Sequence, residues 1–279
     1  MKEEIKPIIN NLIKMPGMAK VKQEIKSLVA FLETTEERQA QGLSAGPDIS
    51  YHLIFTGNPG TGKTTVARIL ATIYRELGII NGGKLVEVTR SDLVVAEKGE
   101  TAKRSAEKYN EAIDNVLFID EAYTLVNKKD PNDNGQEAID ELLKYMEDYR
   151  DRLIVIVAGY AKDMKDFIGA NAGLASRFKR EILFEDYSYL ELYQIFYKFC
   201  RDNQYMIASD ANEAIKQGCK RVIEVTGQRF SNGRDARRLF ESVLQFQATR
   251  LSKLANKTKM DLMMIKKVDI EGAANQFGN

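Results

Sequence analysis

The sequence predicts an α/β domain, a five-stranded parallel sheet with helices on both faces, followed by a small all-helical domain. Two observations carry this. Short apolar runs alternate with helical patterns as far as Phe184, and beyond Phe184 only helical periodicity remains. A third observation is a glycine-rich loop between the first strand and the helix after it, the setting in which open parallel sheets place a ligand. With 279 residues the chain exceeds the size that one core usually serves, and the expected domains are 1–186 and 187–279.

The elements follow in order. Val21, Ile25, Leu28, Val29 and Leu32 recur at helical spacing and predict a helix over 18–40 that ends near Gly42. A loop containing Gly46, Pro47 and Asp48 leads to the apolar run Tyr51–Thr56, the first strand. The glycine-rich loop 57–65 comes next, and the pattern Val66–Ala71 opens the following helix. Lys84–Val88 and Asn115–Ile119 read as the second and third strands, with a helix over 101–113 between them. Ala138, Leu142, Leu143 and Met146 mark a helix over 134–148. Leu153–Ala158 and Glu181–Phe184 complete five strands. Periodicity over 188–202, 210–225 and 234–254 builds the helical domain, with Tyr187, Tyr189, Tyr193, Phe196, Tyr197 and Phe199 assigned to the core and face of its first helix.

Composition narrows the function. Forty-one basic against forty acidic residues leave a net charge of +1, so there is no overall electrostatic case for nucleic acid or a membrane surface, although a local basic patch stays open. Cys200 and Cys219 have neither zinc-site spacing nor the number for a disulfide framework, which fits a reducing cytoplasm. The N-terminus lacks a secretory apolar core, and charges interrupt the chain too often for a membrane-spanning helix. The single histidine, His52, falls within a buried strand with no catalytic partner in view and reads as a packed core side chain.

The loop Gly57-Asn58-Pro59-Gly60-Thr61-Gly62-Lys63-Thr64-Thr65 has the spacing and the strand-to-helix setting of a phosphate-binding loop. Its glycines let backbone N–H groups approach a polyphosphate closely. The helix beginning near Lys63 directs unpaired N–H groups and its positive dipole end at the same anion, and the Lys63 ammonium adds charge. The Thr64 hydroxyl is suited to Mg²⁺. Downstream, the strand ending Val116-Leu117-Phe118-Ile119 runs into Asp120 and Glu121. Asp120 is expected to hold Mg²⁺ or its water, and Glu121 to act as the general base toward the water that attacks the γ-phosphate of a nucleoside triphosphate.

With these residues in place the chain resembles the AAA+ ATPases, and within them the group of the red-type Rubisco activase, the sporulation stage V ATPase and the type VII secretion ATPase domain. The resemblance rests on the stretch from Met15 to Lys22, the phosphate loop, Asp133–Asp148 and Arg152–Tyr160, and runs from about Met15 to Leu254. It implies an ATP- and Mg²⁺-dependent oligomer, a hexamer or another ring or helical assembly, acting on a protein partner. It also implies that Arg177, in Gly173-Leu174-Ala175-Ser176-Arg177-Phe178, serves a neighbouring subunit as an arginine finger. Arg234, in Ser231–Arg238, would reach the γ-phosphate from the helical domain, with Arg237 and Arg238 as alternatives. Gly17, Met18 and Ile195 would enclose the adenine.

One position departs from the relatives, and a second is unusual only against the wider family. The relatives' pore loop carries an aromatic-aliphatic-glycine triplet where this chain has Glu97-Lys98-Gly99, and a charged pair cannot supply the stacking grip of an aromatic ring. At the end of the fourth strand Gly159-Tyr160 stands where a small polar residue is usual. Tyr160 there either orients water or packs. Two functions therefore stand together: a remodeller of a protein partner, and an ATP-controlled scaffold or switch that recruits protein or nucleic acid.

Overall fold

The computed structural model describes residues 2–44, 50–97, 99–126 and 133–277. The expected loop of Gly46, Pro47 and Asp48 lies outside these residues, as does Lys98. The chain forms two compact units, one of Met1–Met15, Ala19–Gly57 and Gly62–Phe184, the other of Pro16–Met18, Asn58–Thr61 and Glu185–Asn279.

The first unit runs α1 (Ile5–Lys14), α2 (Ala19–Ala40), β1 (Leu53–Gly57), α3 (Lys63–Glu76), β2 (Leu85–Val88), α4 (Arg90–Leu93), α5 (Glu100–Glu111), β3 (Val116–Ile119), α6 (Gly135–Asp148), β4 (Ile154–Gly159), α7 (Ala161–Gly169), α8 (Ala172–Arg177) and β5 (Arg180–Phe184). The strands form one five-stranded sheet in the order β2-β3-β4-β1-β5, and every pairing is parallel. In β1, β3 and β4 every residue is buried, as expected of strands covered on both faces. Alternation decides which face each side chain joins. Ile54, Leu117, Ile119, Val155 and Val157 share one core with Tyr109 of α5, Ile139 and Leu142 of α6 and Met164 and Phe167 of α7. On the other face α3 packs on β1, β2 and β3.

Sequence periodicity missed α1, although Ile5, Ile9 and Leu12 form a fully apolar stripe at the spacing of one helix face. A ten-residue helix is marginal by itself, and α1 exists because it packs on α2 and α3. The short α7 and α8 were also unread. Asn171 caps α8, its side-chain oxygen accepting from the N–H groups of Gly173 and Leu174 at 2.9 and 3.3 Å.

The second unit contains α9 (Tyr189–Asp202), β6 (Met206–Ile207), α10 (Asn212–Thr226), α11 (Gly233–Leu251), α12 (Lys259–Met263), β7 (Met264–Ile265) and α13 (Lys267–Gln276). Ser188 and Glu191 start α9 with a reciprocal capping box. The all-helical expectation needs one correction: β6 and β7 pair in parallel, Met206 with Met264 and Ile207 with Ile265. Two-residue strands are too short for a period-2 pattern to register. Tyr187 is corrected too, since it precedes α9 and is not on it. Cys200 and Cys219 are buried thiols whose pKa values burial pushes up to about 12, which makes them packing groups. No helix among the described residues is long and apolar enough to cross a membrane.

His52 is 7% exposed, and its Nδ1 accepts a hydrogen bond from the Val155 N–H at 3.0 Å, which requires the neutral ring. Its pKa falls to about 4, through burial first and then the nearby Arg177 charge. The folded state thus binds this proton less readily than the unfolded chain, where the usual value is about 6.5. Stability from His52 is complete above that unfolded value and is lost as the pH falls toward 4. Urea unfolding should lose about 2 kcal/mol between pH 7.5 and 5 from this group. A His52→Asn variant, which keeps a side-chain acceptor but cannot titrate, should show a visibly flatter pH dependence over that interval.

Candidate functional site

Because the sheet is parallel, the carboxyl ends of β1 and β3 emerge at one edge, and the two predicted motifs follow directly from them. Gly57 closes β1 at φ 145°, and a Cβ there would lie 2.3 Å from the Phe184 carbonyl oxygen. Gly62, at φ 100°, precedes α3, so the helix opens at Lys63 with its first N–H groups pointing into the loop. Lys63 Nζ donates to the Gly57 carbonyl at 2.7 Å, folding the ammonium back across the loop. Thr64 is half-buried, and its hydroxyl has no protein partner among the described residues.

At the end of β3, the Asp120 N–H donates to the Val88 carbonyl at 3.0 Å and continues the sheet by one residue. The chain then turns sharply. Glu121 is exposed at φ 50°, a left-handed conformation that costs a non-glycine residue about 1–3 kcal/mol. Two donors hold it there: Thr124 N–H and Thr124 Oγ1 reach the Glu121 carbonyl at 2.8 and 2.7 Å. The Glu121 N–H in turn donates to Asp120 Oδ1 at 3.0 Å. Beside them, Tyr123 and Tyr160 have ring centroids 5.9 Å apart, and burial, followed by the Glu121 charge, pushes the Tyr123 hydroxyl up to about 12.

Arg90 ties this turn to its surroundings, and sequence reasoning missed it. Its Nη1 donates to the carbonyls of Thr124 and Leu125, both at 2.7 Å, and its Nη2 pairs with the Asp133 carboxylate, which is 7% exposed. The neighbouring Asn134 Nδ2 donates to the Val95 and Ala96 carbonyls at 3.0 and 3.2 Å. Glu97 follows and is exposed. A continuous set of hydrogen bonds thus joins the Glu121 turn to the loop of the altered triplet. One signal was available: Thr89 and Asp92 form a capping box, which puts cationic Arg90 in a first helical turn, where the dipole disfavours it.

Arg177 lies elsewhere in the same unit. It is the last residue of α8, its carbonyl accepts from Ser50 Oγ at 2.5 Å, and β5 begins three residues later with Arg180 opposite Leu53. These are the amino ends of β1 and β5, whereas the phosphate loop leaves the carboxyl end of β1. A strand of this length at about 3.3 Å per residue separates them by roughly 15 Å, beyond the reach of one arginine. The Arg177 guanidinium instead donates to Glu147 Oε2 at 2.7 Å.

The second unit holds the other predicted residues. Arg234, in the first turn of α11, is exposed and has no side-chain partner among the described residues. Arg237 lies 4.9 Å over the Phe199 ring, and Arg238 pairs with buried Asp235 at 3.0 Å, so the two alternatives are engaged locally. Gly17 and Met18 both take positive φ, and a Cβ on Gly17 would lie 2.8 Å from the Tyr187 ring. Ile195 is buried on α9. Asn58, Pro59, Gly60 and Thr61 also belong to this unit, and Thr61 Oγ1 donates to the Asn58 carbonyl at 2.8 Å.

Residues 53–186 match the family described as "ATPase family associated with various cellular activities (AAA)", and residues 188–278 match the AAA lid domain. The chain is 38% identical to stage V sporulation protein K of Bacillus subtilis, over 95% of this chain and 82% of that protein. It belongs to the AAA ATPase family. This AAA ATPase is also 38% identical to a chloroplastic ribulose bisphosphate carboxylase/oxygenase activase of Cyanidioschyzon merolae, over 96% of the chain and 91% of the relative. The ESX-1 secretion system protein EccA1 of Mycobacterium tuberculosis is 38% identical over 91% of the chain, which spans about half (45%) of that protein. Among solved structures, the FIGL-1 AAA domain in complex with ADP superposes with a TM-score of 0.65 over 95% of this chain and 83% of that one. At 18% identity it supports the fold of the AAA ATPase alone.

Removing the Arg90 guanidinium takes the charged donor from Asp133 and a hydrogen bond from each of two carbonyls. Arg90→Ala should cost about 2–3 kcal/mol in denaturant unfolding, as expected for breaking a largely buried charge-assisted set. Hydrogen exchange should quicken at 93–97, and an unchanged urea midpoint would contradict this assignment.

Proposed function

We propose that the chain hydrolyses ATP with Mg²⁺ as an oligomer and uses the cycle to remodel or disassemble a protein partner in the cytoplasm. The nucleotide-binding part corresponds to 1–186 and the lid to 187–279. The loop Gly57–Thr65 binds the phosphates, Lys63 neutralises their charge, and Gly17 and Met18 border the base. The donor set fits the metal, since the Thr64 hydroxyl has no protein partner among the described residues and Asp120 offers a carboxylate at the same sheet edge. Mg²⁺, when bound, supplies Lewis-acid polarisation of the phosphate oxygens. Glu121 takes the proton of the attacking water, and Thr124 clamps the backbone from which its side chain extends. Arg234 approaches the phosphates from the lid.

The observation that carries the oligomeric reading is the separation between Arg177 and the phosphate loop of its own chain. A guanidinium at the amino edge of the sheet is useless to its own site and available to the next subunit's. The Glu147 pair, exposed on the Glu147 side and half-buried at Arg177, holds it meanwhile by about 1 kcal/mol, which does not prevent release. The protein partner is inferred from relatives named for activation, secretion and sporulation. The exposed Glu97 favours the second reading, a switch that recruits a partner without gripping an extended peptide.

Mixing tests the shared site. Arg177→Ala and Lys63→Ala should each lose ATP turnover, by about 10³-fold or more for the finger. Their mixture should regain activity through sites built from one intact loop and one intact finger. No recovery in mixed oligomers would remove the role of Arg177 in trans. Glu121→Gln should bind ATP with unchanged affinity while turnover falls by at least about 10²-fold, the usual contribution of a general base. Wild-type steady-state hydrolysis in that variant would refute the role.

A further inference from the structure

Four consecutive residues of the phosphate loop, Asn58–Thr61, group with the helical unit, and Asn232 is central to what holds them. Asn232 is 0% exposed and sits at φ 54° and ψ −121°, outside the left-handed helical region and strained for any residue but glycine. Its side chain is fully engaged. Oδ1 accepts from the Tyr187 N–H at 2.7 Å, and Nδ2 donates to Asp186 Oδ1 at 2.7 Å and to the Pro59 carbonyl at 3.2 Å. The residues it fixes continue the grip. Tyr187 Oη donates to the Thr61 carbonyl at 3.0 Å, the Gly233 N–H donates to the Gly60 carbonyl at 3.0 Å, and Asn58 Nδ2 donates to both Asp186 carboxylate oxygens at 3.0 and 2.9 Å. Gly60 is pressed so closely that a Cβ would lie 2.2 Å from the Ser231 carbonyl oxygen.

The carbonyls of Pro59, Gly60 and Thr61 therefore all accept from the helical unit. In a trans peptide the C=O and the following N–H point in opposite directions. Fixing three successive carbonyls on one side thus turns the N–H groups of Gly60, Thr61 and Gly62 to the other. None of these three N–H groups has a protein acceptor among the described residues. A row of convergent free N–H groups is an anion-binding concavity.

We propose that Asn232 is a positioning residue for nucleotide binding: through Pro59, and through its hold on Tyr187 and Asp186, it aims the N–H groups of Gly60, Thr61 and Gly62 at the phosphate chain. The segment Asn58–Thr61 is thereby set within its own unit through backbone carbonyls, independently of any arginine. This inference rests on the reading of residues 57–65 as a phosphate loop.

The test separates positioning from folding by exchanging two side chains. Asn232→Asp alone puts a carboxylate against Asp186 and lowers the melting temperature. Asp186→Asn combined with Asn232→Asp restores an amide–carboxylate pair and the acceptor for the Tyr187 N–H, but it leaves the Pro59 carbonyl without a donor. Fluorescent-analogue ADP binding and thermal melting are measured on the full chain. The exchanged variant should melt within a few degrees of wild type and bind ADP about 10-fold more weakly, which is about 1.4 kcal/mol. Tyr187→Phe, which keeps its ring against Gly17 and loses only the donor to Thr61, should fold normally and weaken binding about 3-fold; it decides the matter should the exchanged variant not fold. Wild-type ADP affinity in the exchanged variant, or in Tyr187→Phe where that variant decides, beside a clear defect in Lys63→Ala, overturns this inference alone. Wild-type affinity in Lys63→Ala overturns the phosphate-loop reading and this inference with it.

Discussion

Burial of the three central strands on both faces is the constraint from which the rest of the sheet unit follows. β1, β3 and β4 expose no edge and no face, so each must pair on both sides and be covered by helices above and below. Strands that run parallel under such cover need a crossover between each pair, and every crossover begins at the same sheet edge. Lys63, Thr64, Asp120 and Glu121 converge on one edge for that reason, although more than fifty residues of chain lie between the two pairs. The same constraint sends α8 to the opposite edge, because it must finish where β5 begins. The placement of Arg177 is thus a result of topology before it is a matter of chemistry.

Around that edge the structure spends conformational strain and recovers it through hydrogen bonds. Gly57 and Glu121 both have positive φ, the first held by a space too tight for a Cβ and the second by the two Thr124 donors. The Glu121 turn is clamped by Thr124, Thr124 by Arg90, and Arg90 by Asp133, next to the asparagine that grips Val95 and Ala96. The geometry of the Glu121 turn and that of the Val95–Glu97 loop are therefore not independent. A contiguous set of bonds is the kind of physical connection that coupling between sites requires.

Much of this was legible in the sequence because it rests on local chemistry. The glycine spacing, the lysine and threonine after it and the carboxylates after an apolar run each carry their own reason. The five strands were readable from apolar runs, and His52 from the lack of any partner. What escaped reading depends on contacts between distant residues. α1 folds only against its neighbours, β6 and β7 are two residues each, and Arg90 looks like an ordinary surface charge until Asp133 and the Leu125 carbonyl come beside it. Tyr187 was counted with the aromatic stripe of α9, yet its hydroxyl reaches back to Thr61. Asn232 lies in the Ser231–Arg238 segment, which drew attention only to its arginines, since the contacts of one buried amide leave no trace in spacing.

The bond between Asn232 and Pro59 spans 173 residues of sequence. During synthesis the sheet elements and the phosphate loop leave the ribosome long before Asn232 does. Until Asn232 emerges, the Pro59 carbonyl lacks its amide donor. The final geometry of Asn58–Thr61 is thus a late event of folding, reached only when the rest of its own compact unit forms around it.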